Sequence, residues 1–213
     1  MPSYPHLLFD LDGTLIDSVG LILDSYRHTA AVHGLPQRDE AEWLRGLGTP
    51  LRSQFAPYAE TPEHMEALIA TYREYNLANH DARVTPYPGI VDVVRTLHGR
   101  GARLGIVTSK NRQGTLRGLR LVGLDDVFEV LVCADDVVNP KPHPEPVEKA
   151  VALLGAALEH TVFIGDSPHD MHSGKRAGVR TAAVLWGPFG REDLEPCAPD
   201  HFVQAPEELL ALG

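Results

Sequence analysis

Cysteine is scarce in this chain: Cys133 and Cys197 are the two present. They form at most one bridge, which excludes a disulfide scaffold. Neither sits in a Cys-x-x-Cys pair, which speaks against a zinc site. Basic residues are also short, with Lys+Arg 19 against Asp+Glu 29 and a net charge of −10. No Lys/Arg-rich run offsets that deficit, so nucleic acid is not the expected partner. The same balance means that an anionic substrate approaching an acidic site needs a local cation. No uninterrupted apolar stretch approaches the ~20 residues of a membrane span. The N-terminal apolar run is cut by Asp10 and Asp12, unlike a signal peptide. The expectation is a cytoplasmic protein with neither nucleic acid nor membrane among its partners.

What the chain does have is enough apolar material for a full core, at 43% of 213 residues, in one large domain or two unequal ones. Leu7-Leu8-Phe9 runs into Asp10 and reads as a buried strand. Val19, Leu23, Tyr26 and Ala30 then fall at helical spacing, closed by Gly34 and Pro36. From there to about residue 83 the pattern is helical, broken at Gly46 to Pro50 and at Ala59 to Pro62. Thr61 and Pro62 open a segment whose Met65, Leu68, Ile69 and Tyr72 share one face. No strand signal appears between residues 16 and 83.

From Val84 onward strands and helices alternate. Ile90, Val93, Val94 and Leu97 form a helical stripe, and Arg103 to Thr108 is a short apolar strand. A helix over 113–121 follows, then a strand over 127–133. Val147, Ala150, Val151 and Leu154 form the next stripe, before a strand over 161–165. Residues 181–185 and 202–204 look like two more strands. This alternation predicts an α/β fold, a Rossmann-like parallel sheet flanked by helices. In such sheets ligands bind at the carboxyl ends of the strands. Those ends carry Asp10 with Asp12, Thr108 with Ser109, and Asp166 with Asp170 just beyond.

Asp10 and Asp12, two residues apart in extended chain, face the same side, and Gly13 lets the backbone turn. Crowded carboxylates of this kind need a cation, a proton or a substrate for company. Thr108, Ser109 and Lys110 taken alone are as consistent with a helix cap. In Lys141-Pro142-His143-Pro144-Glu145-Pro146 the prolines hold one lysine on a stiff segment before a helix. Pro168 can start a helix, which places Asp170 in its first turn, a favourable place for any carboxylate. The alternative is a hard cation such as Mg²⁺ held by a few carboxylates, waters and substrate phosphate.

The string Phe9-Asp10-Leu11-Asp12-Gly13-Thr14-Leu15-Ile16-Asp17-Ser18 resembles the first motif of the haloacid dehalogenase superfamily. Thr108 with Ser109 resembles the second motif, the Lys141-Pro142-His143-Pro144 form the third, and Gly165-Asp166-Ser167-Pro168-His169-Asp170 the fourth. The resemblance implies a core of residues 1–15 and 84–213 with an all-helical cap, residues 16–83, inserted after the first strand. That cap is similar to the small one of the phosphoglycolate phosphatase and β-phosphoglucomutase branch.

The resemblance implies a Mg²⁺-dependent phosphatase acting on a small phosphorylated metabolite. Asp10 would be the nucleophile that forms an aspartyl-phosphate, and Asp12 the acid and base at the leaving oxygen and water. Thr108, Ser109 and Lys141 would hold the phosphoryl oxygens. The Asp10 and Asp166 carboxylates and the Asp12 main-chain oxygen would take the metal, with Asp170 acting through a water or from behind the ligands. An acid at position 12 also separates this chain from dehalogenases, whose halide leaves without a proton. Substrate choice is expected of the cap segment around Arg45, Gly48 and Arg52. There the two arginines either meet a substrate carboxylate or second phosphate, or stay solvated. Residues 186–189 and 199–202 look closest to phosphoglycolate phosphatase-like hydrolases. The alternatives are a pyrophosphatase, suggested by the form of the fourth motif, a phosphomutase, and a non-catalytic binding protein on the same scaffold.

Overall fold

The computed structural model describes residues 4–36 and 38–213. Strand β1 (His6–Phe9) leads through a turn to a two-residue strand, β2 (Ile16–Asp17). Four helices follow: α1 (Val19–Val32), α2 (Glu40–Arg45), α3 (Leu51–Phe55) and α4 (Pro62–Arg83). Next come β3 (Thr85–Pro86), α5 (Ile90–Gly99), β4 (Arg103–Val107), α6 (Arg112–Leu121), β5 (Val130–Val132) and α7 (Glu145–Leu154). The chain closes through β6 (Thr161–Gly165), α8 (Pro168–Ala177), β7 (Arg180–Val184), α9 (Arg191–Leu194) and β8 (His201–Val203).

The main sheet runs β5-β4-β1-β6-β7-β8 and every pairing in it is parallel. This is the expected α/β architecture, and its physical basis is alternation along buried strands. Leu7 and Phe9 point into one core with Ile106 and Ile164, under Val94 and Leu97 of α5 and Leu119 of α6. Leu8, between them, joins Val107 and Phe163 on the opposite face, under Val147, Ala150 and Leu154 of α7. Both faces are covered, so the strands read as unbroken apolar runs rather than alternating ones.

The helices α1 to α4 form an insertion whose apolar side chains make one cluster with Met171, Ala183, Phe189 and Leu194 of the sheet domain. Tyr26 stacks on Trp43 at 4.7 Å between centroids and meets Phe55 and Tyr72 edge-on or tilted. Thr61 caps α4 by accepting from the His64 amide at 3.1 Å, with Pro62 at the first helical position. No helix among the described residues is long and apolar enough to cross a membrane.

One expectation is corrected within the insertion. Ile16–Asp17, in a stretch expected to hold no strand, pairs antiparallel with Thr85–Pro86. Two residues are too few to show a period of two, so the pairing is decided by the return of the chain after α4. The strand expected over 127–133 shortens to Val130–Val132, because it lies at the sheet edge with β4 as its one partner.

Candidate active site

Parallel pairing puts Asp10, Thr108 and Asp166 side by side. Phe9 is in register with Ile106 on one side and Ile164 on the other, so the residues that follow each of them emerge at the same edge. Gly13 makes the turn that follows at a φ of +88°, and a Cβ built there comes 2.6 Å from Asp166 Oδ2. Only glycine allows this backbone both its φ and its approach to the second acid.

Lys141 enters from the loop before α7 with its side chain 1% exposed. Its Nζ donates to Asp10 Oδ1 at 2.9 Å, Asp170 Oδ1 at 2.6 Å and the Val107 carbonyl at 3.3 Å. The other Asp170 oxygen accepts from the Ser167 amide at 3.1 Å and hydroxyl at 2.6 Å, a capping box at the start of α8. Asp170 thus combines the first-turn role with that of a clamp on the lysine. Asp166 accepts from Thr14 Oγ1 at 2.7 Å. Asp12 is half-buried, and its Oδ1 accepts from Ser18 Oγ and from Lys110 Nζ, both at 2.6 Å.

Asp10, Asp166 and Asp170 each offer an oxygen within 4.8 Å of the others, and all three are buried. Burial pushes the Asp10 carboxyl up to about 7 against the pull of Lys141, with Asp170 and Asp12 adding to the rise. Asp166 is raised well above the carboxylate range, first by burial and then by Asp170 and Asp10. Burial alone would lower the Lys141 ammonium, but the Asp10 and Asp170 carboxylates outweigh it and hold it above its ordinary value. Three buried carboxylates therefore share one ammonium. An all-oxygen donor set short of positive charge fits a hard divalent cation.

Above this edge lies a cavity of about 370 Å³ between the sheet and the helical insertion. Asp10, Asp12, Thr108 and Ser109 line its floor, and Tyr72, Arg73, Asn76 and His80 of α4 line its roof. Ser109 Oγ donates to the Gly48 carbonyl at 2.6 Å. Thr108 Oγ1 accepts from the Lys110 amide at 3.2 Å, which leaves its own proton free to donate.

Of the residues expected to face substrate from the cap, Gly48 and Arg52 line the cavity, Arg52 being tied to Glu66. Arg45 is not brought there. It is exposed and sits 4.0 Å from Glu42, because α2 turns Trp43 inward and a residue two positions on points away. The sequence leaves Lys110 open between site and solvent, and it gives no role to Thr14 or to Ser18. The roof of α4 is also missed, although Asn76 and His80 extend the stripe of Tyr72 at helical spacing. Polar side chains on a buried helical face are the available signal.

A profile of the haloacid dehalogenase-like hydrolases matches residues 7–184. The chain is 43% identical over 204 residues to the pyrophosphatase PpaX of Halalkalibacterium halodurans, covering 96% of this chain and 94% of that protein. It is 44% identical over 206 residues to PpaX of Anoxybacillus flavithermus, covering 97% and 95%. A haloacid dehalogenase-like hydrolase of Streptococcus pneumoniae superposes with a TM-score of 0.84 at 27% identity, over 99% of each chain. With the family profile spanning most of the chain and the parallel sheet carrying the acids at its edge, this protein belongs to the haloacid dehalogenase-like hydrolases and is an enzyme of that hydrolase family.

Proposed function

We propose that the protein is a Mg²⁺-dependent phosphatase that cleaves a small phosphorylated metabolite in the cytoplasm through an aspartyl-phosphate. The observation that carries this reading is the buried Asp10–Lys141–Asp170 chain beneath a cavity that also holds Asp12. Inorganic pyrophosphate, an alternative on sequence grounds, becomes the leading substrate because the relatives at 43% and 44% identity bear the pyrophosphatase name. Phosphoglycolate is the competing one.

Asp10 attacks phosphorus, and the bond to the leaving oxygen breaks as that oxygen takes a proton from Asp12. Asp12 then takes a proton from the water that attacks the aspartyl-phosphate, which releases phosphate and restores both acids. Ser18 and Lys110 occupy Asp12 Oδ1 and leave Oδ2, without a partner among the described residues, to carry the proton. Thr108 donates its hydroxyl to a phosphoryl oxygen and Lys141 offsets its charge. Asp10, Asp166 and the Asp12 main-chain oxygen would hold Mg²⁺, with Asp170 behind them, and the ion supplies charge neutralisation on the phosphoryl group. Residues 16–83 act as a cap on a core of residues 1–15 and 84–213, hinging where Ile16 pairs with Pro86 and excluding water when closed.

Phosphate release from pyrophosphate, phosphoglycolate and p-nitrophenyl phosphate, each with Mg²⁺, tests the reading. Release from none of them overturns it. Asp12→Asn is expected to slow cleavage of poor leaving groups by about 10²–10⁴-fold, and p-nitrophenyl phosphate much less. A rate unchanged on every substrate removes the acid role. Mg²⁺ is expected to raise the melting temperature, because it binds the folded acids alone. The rise should be larger at about pH 8 than at about pH 6, because protons compete for an Asp10 carboxyl lifted to about 7. Thermal unfolding at both pH values, with and without MgCl₂, checks this, and equal rises would count against metal binding at Asp10.

A further inference from the structure

The charges around the cavity do not cancel evenly. Lys110 is committed to Asp12 at 2.6 Å, and Arg52 is tied to Glu66. Arg73 also lines the cavity but makes neither an ion pair nor a hydrogen bond with the described residues. It is the one arginine or lysine on that wall without a carboxylate partner among them.

Behind Arg73 on the same face of α4 come Asn76 and His80, spaced three and then four residues on. Asn76 is 8% exposed. Its Nδ2 donates to Ser25 Oγ at 3.1 Å, and that hydroxyl gives its own proton to the Leu21 carbonyl at 2.6 Å. The serine must therefore accept, which fixes the amide's orientation and leaves Oδ1 as the free acceptor. His80 is 1% exposed, its Nδ1 lies 2.8 Å from Asp81 Oδ1, and its Nε2 has no partner. Arg117 of α6 holds Asp81 in turn, at 2.8 and 3.0 Å. Of these atoms His80 Nε2 is buried without a partner among the described residues, which calls for an explanation, and the residue that carries it lines the cavity beside Asn76 and Arg73.

We propose that Arg73, backed by Asn76 and His80, is the subsite for the leaving group, and that the group it accepts is an anionic phosphate. This rests on the phosphoryl-hydrolase reading above. A leaving phosphate brings charge that Lys141, buried against Asp10 and Asp170, does not reach. A guanidinium pairs with phosphate through two parallel N–H bonds. Asn76 Oδ1 accepts the proton that a phosphate or hydroxyl oxygen carries. Specificity then lies on α4 and not on the segment around Arg45.

The test is Arg73→Gln, an exposed position whose replacement should leave the melting temperature unchanged. Binding of methylenebisphosphonate, measured by calorimetry with Mg²⁺ and needing no turnover, is expected to weaken by about tenfold or more. KM for pyrophosphate should rise in step, while kcat/KM for p-nitrophenyl phosphate stays within about twofold, since that ester has no distal anion to lose. Arg73→Lys should recover part of the bisphosphonate affinity. Unchanged bisphosphonate binding in Arg73→Gln, no binding to the wild type, or an equal fall on both substrates overturns the subsite. Arg73-dependent binding by a wild type that releases phosphate from no substrate would sustain the subsite and refute the hydrolytic reading.

Discussion

Asp10→Asn is expected to yield a folded protein that turns over no substrate, with activity down by about 10⁴-fold or more. The amide keeps the shape and the contact with Lys141, but its oxygen does not attack phosphorus. Stability should move the other way. In the wild type, burial, helped by two neighbouring acids, raises the Asp10 carboxyl from 3.8 to about 7 despite Lys141. A group raised on folding contributes its stability below the unfolded value and loses it as pH climbs through the folded one. Asparagine has no such loss. The metal-free variant should therefore match the wild type near about pH 4 and exceed it near about pH 8, with Mg²⁺ closing the gap by stabilising the wild type. Denaturant unfolding at both pH values, alongside phosphate release, measures both halves. Residual turnover within about tenfold of wild type would remove Asp10 as nucleophile.

Replacing Lys141 with methionine is expected to abolish activity and destabilise the fold together. The ammonium is 1% exposed and joins two buried acids, so its removal leaves Asp10 and Asp170 facing each other without a cation. Breaking a buried pair from one side typically costs about 3–5 kcal/mol. Protonation relieves part of that. Asp10, already lifted to about 7, rises further once the lysine is gone, so the deficit should be small near about pH 5 and grow toward about pH 8. A deficit that does not vary with pH would mean that lost packing, not charge, dominates. Activity should fall by about 10³-fold or more, since among the described residues no other lysine or arginine pairs with the Asp10 carboxylate.

The residues in these two experiments are legible in the sequence alone. Each lies within a short, dense string, and a parallel sheet delivers every strand end to one edge, so local sequence implies proximity. Thr14, Ser18 and Lys110 are not legible in their roles. A hydroxyl or ammonium near a motif looks the same whether it meets solvent or a carboxylate from a distant segment, as Thr14 meets Asp166 and Lys110 meets Asp12. For Arg45 the sequence left substrate contact and solvation both open, because nearness to a loop does not say which way a helical side chain points, and α2 spends its inward face on Trp43.

By itself, then, the sequence determined the layered α/β core, the helical insertion and the acids and lysine at the sheet edge. Those depend on periodicity and on short-range spacing. Tertiary structure decided which of the cavity's charges are already paired, and it left Arg73 without a carboxylate among the described residues. Pairing is set by where α4 lies over the cavity, and that depends on the packing of Tyr26, Trp43, Phe55 and Tyr72 within the insertion, side chains that belong to none of the motifs.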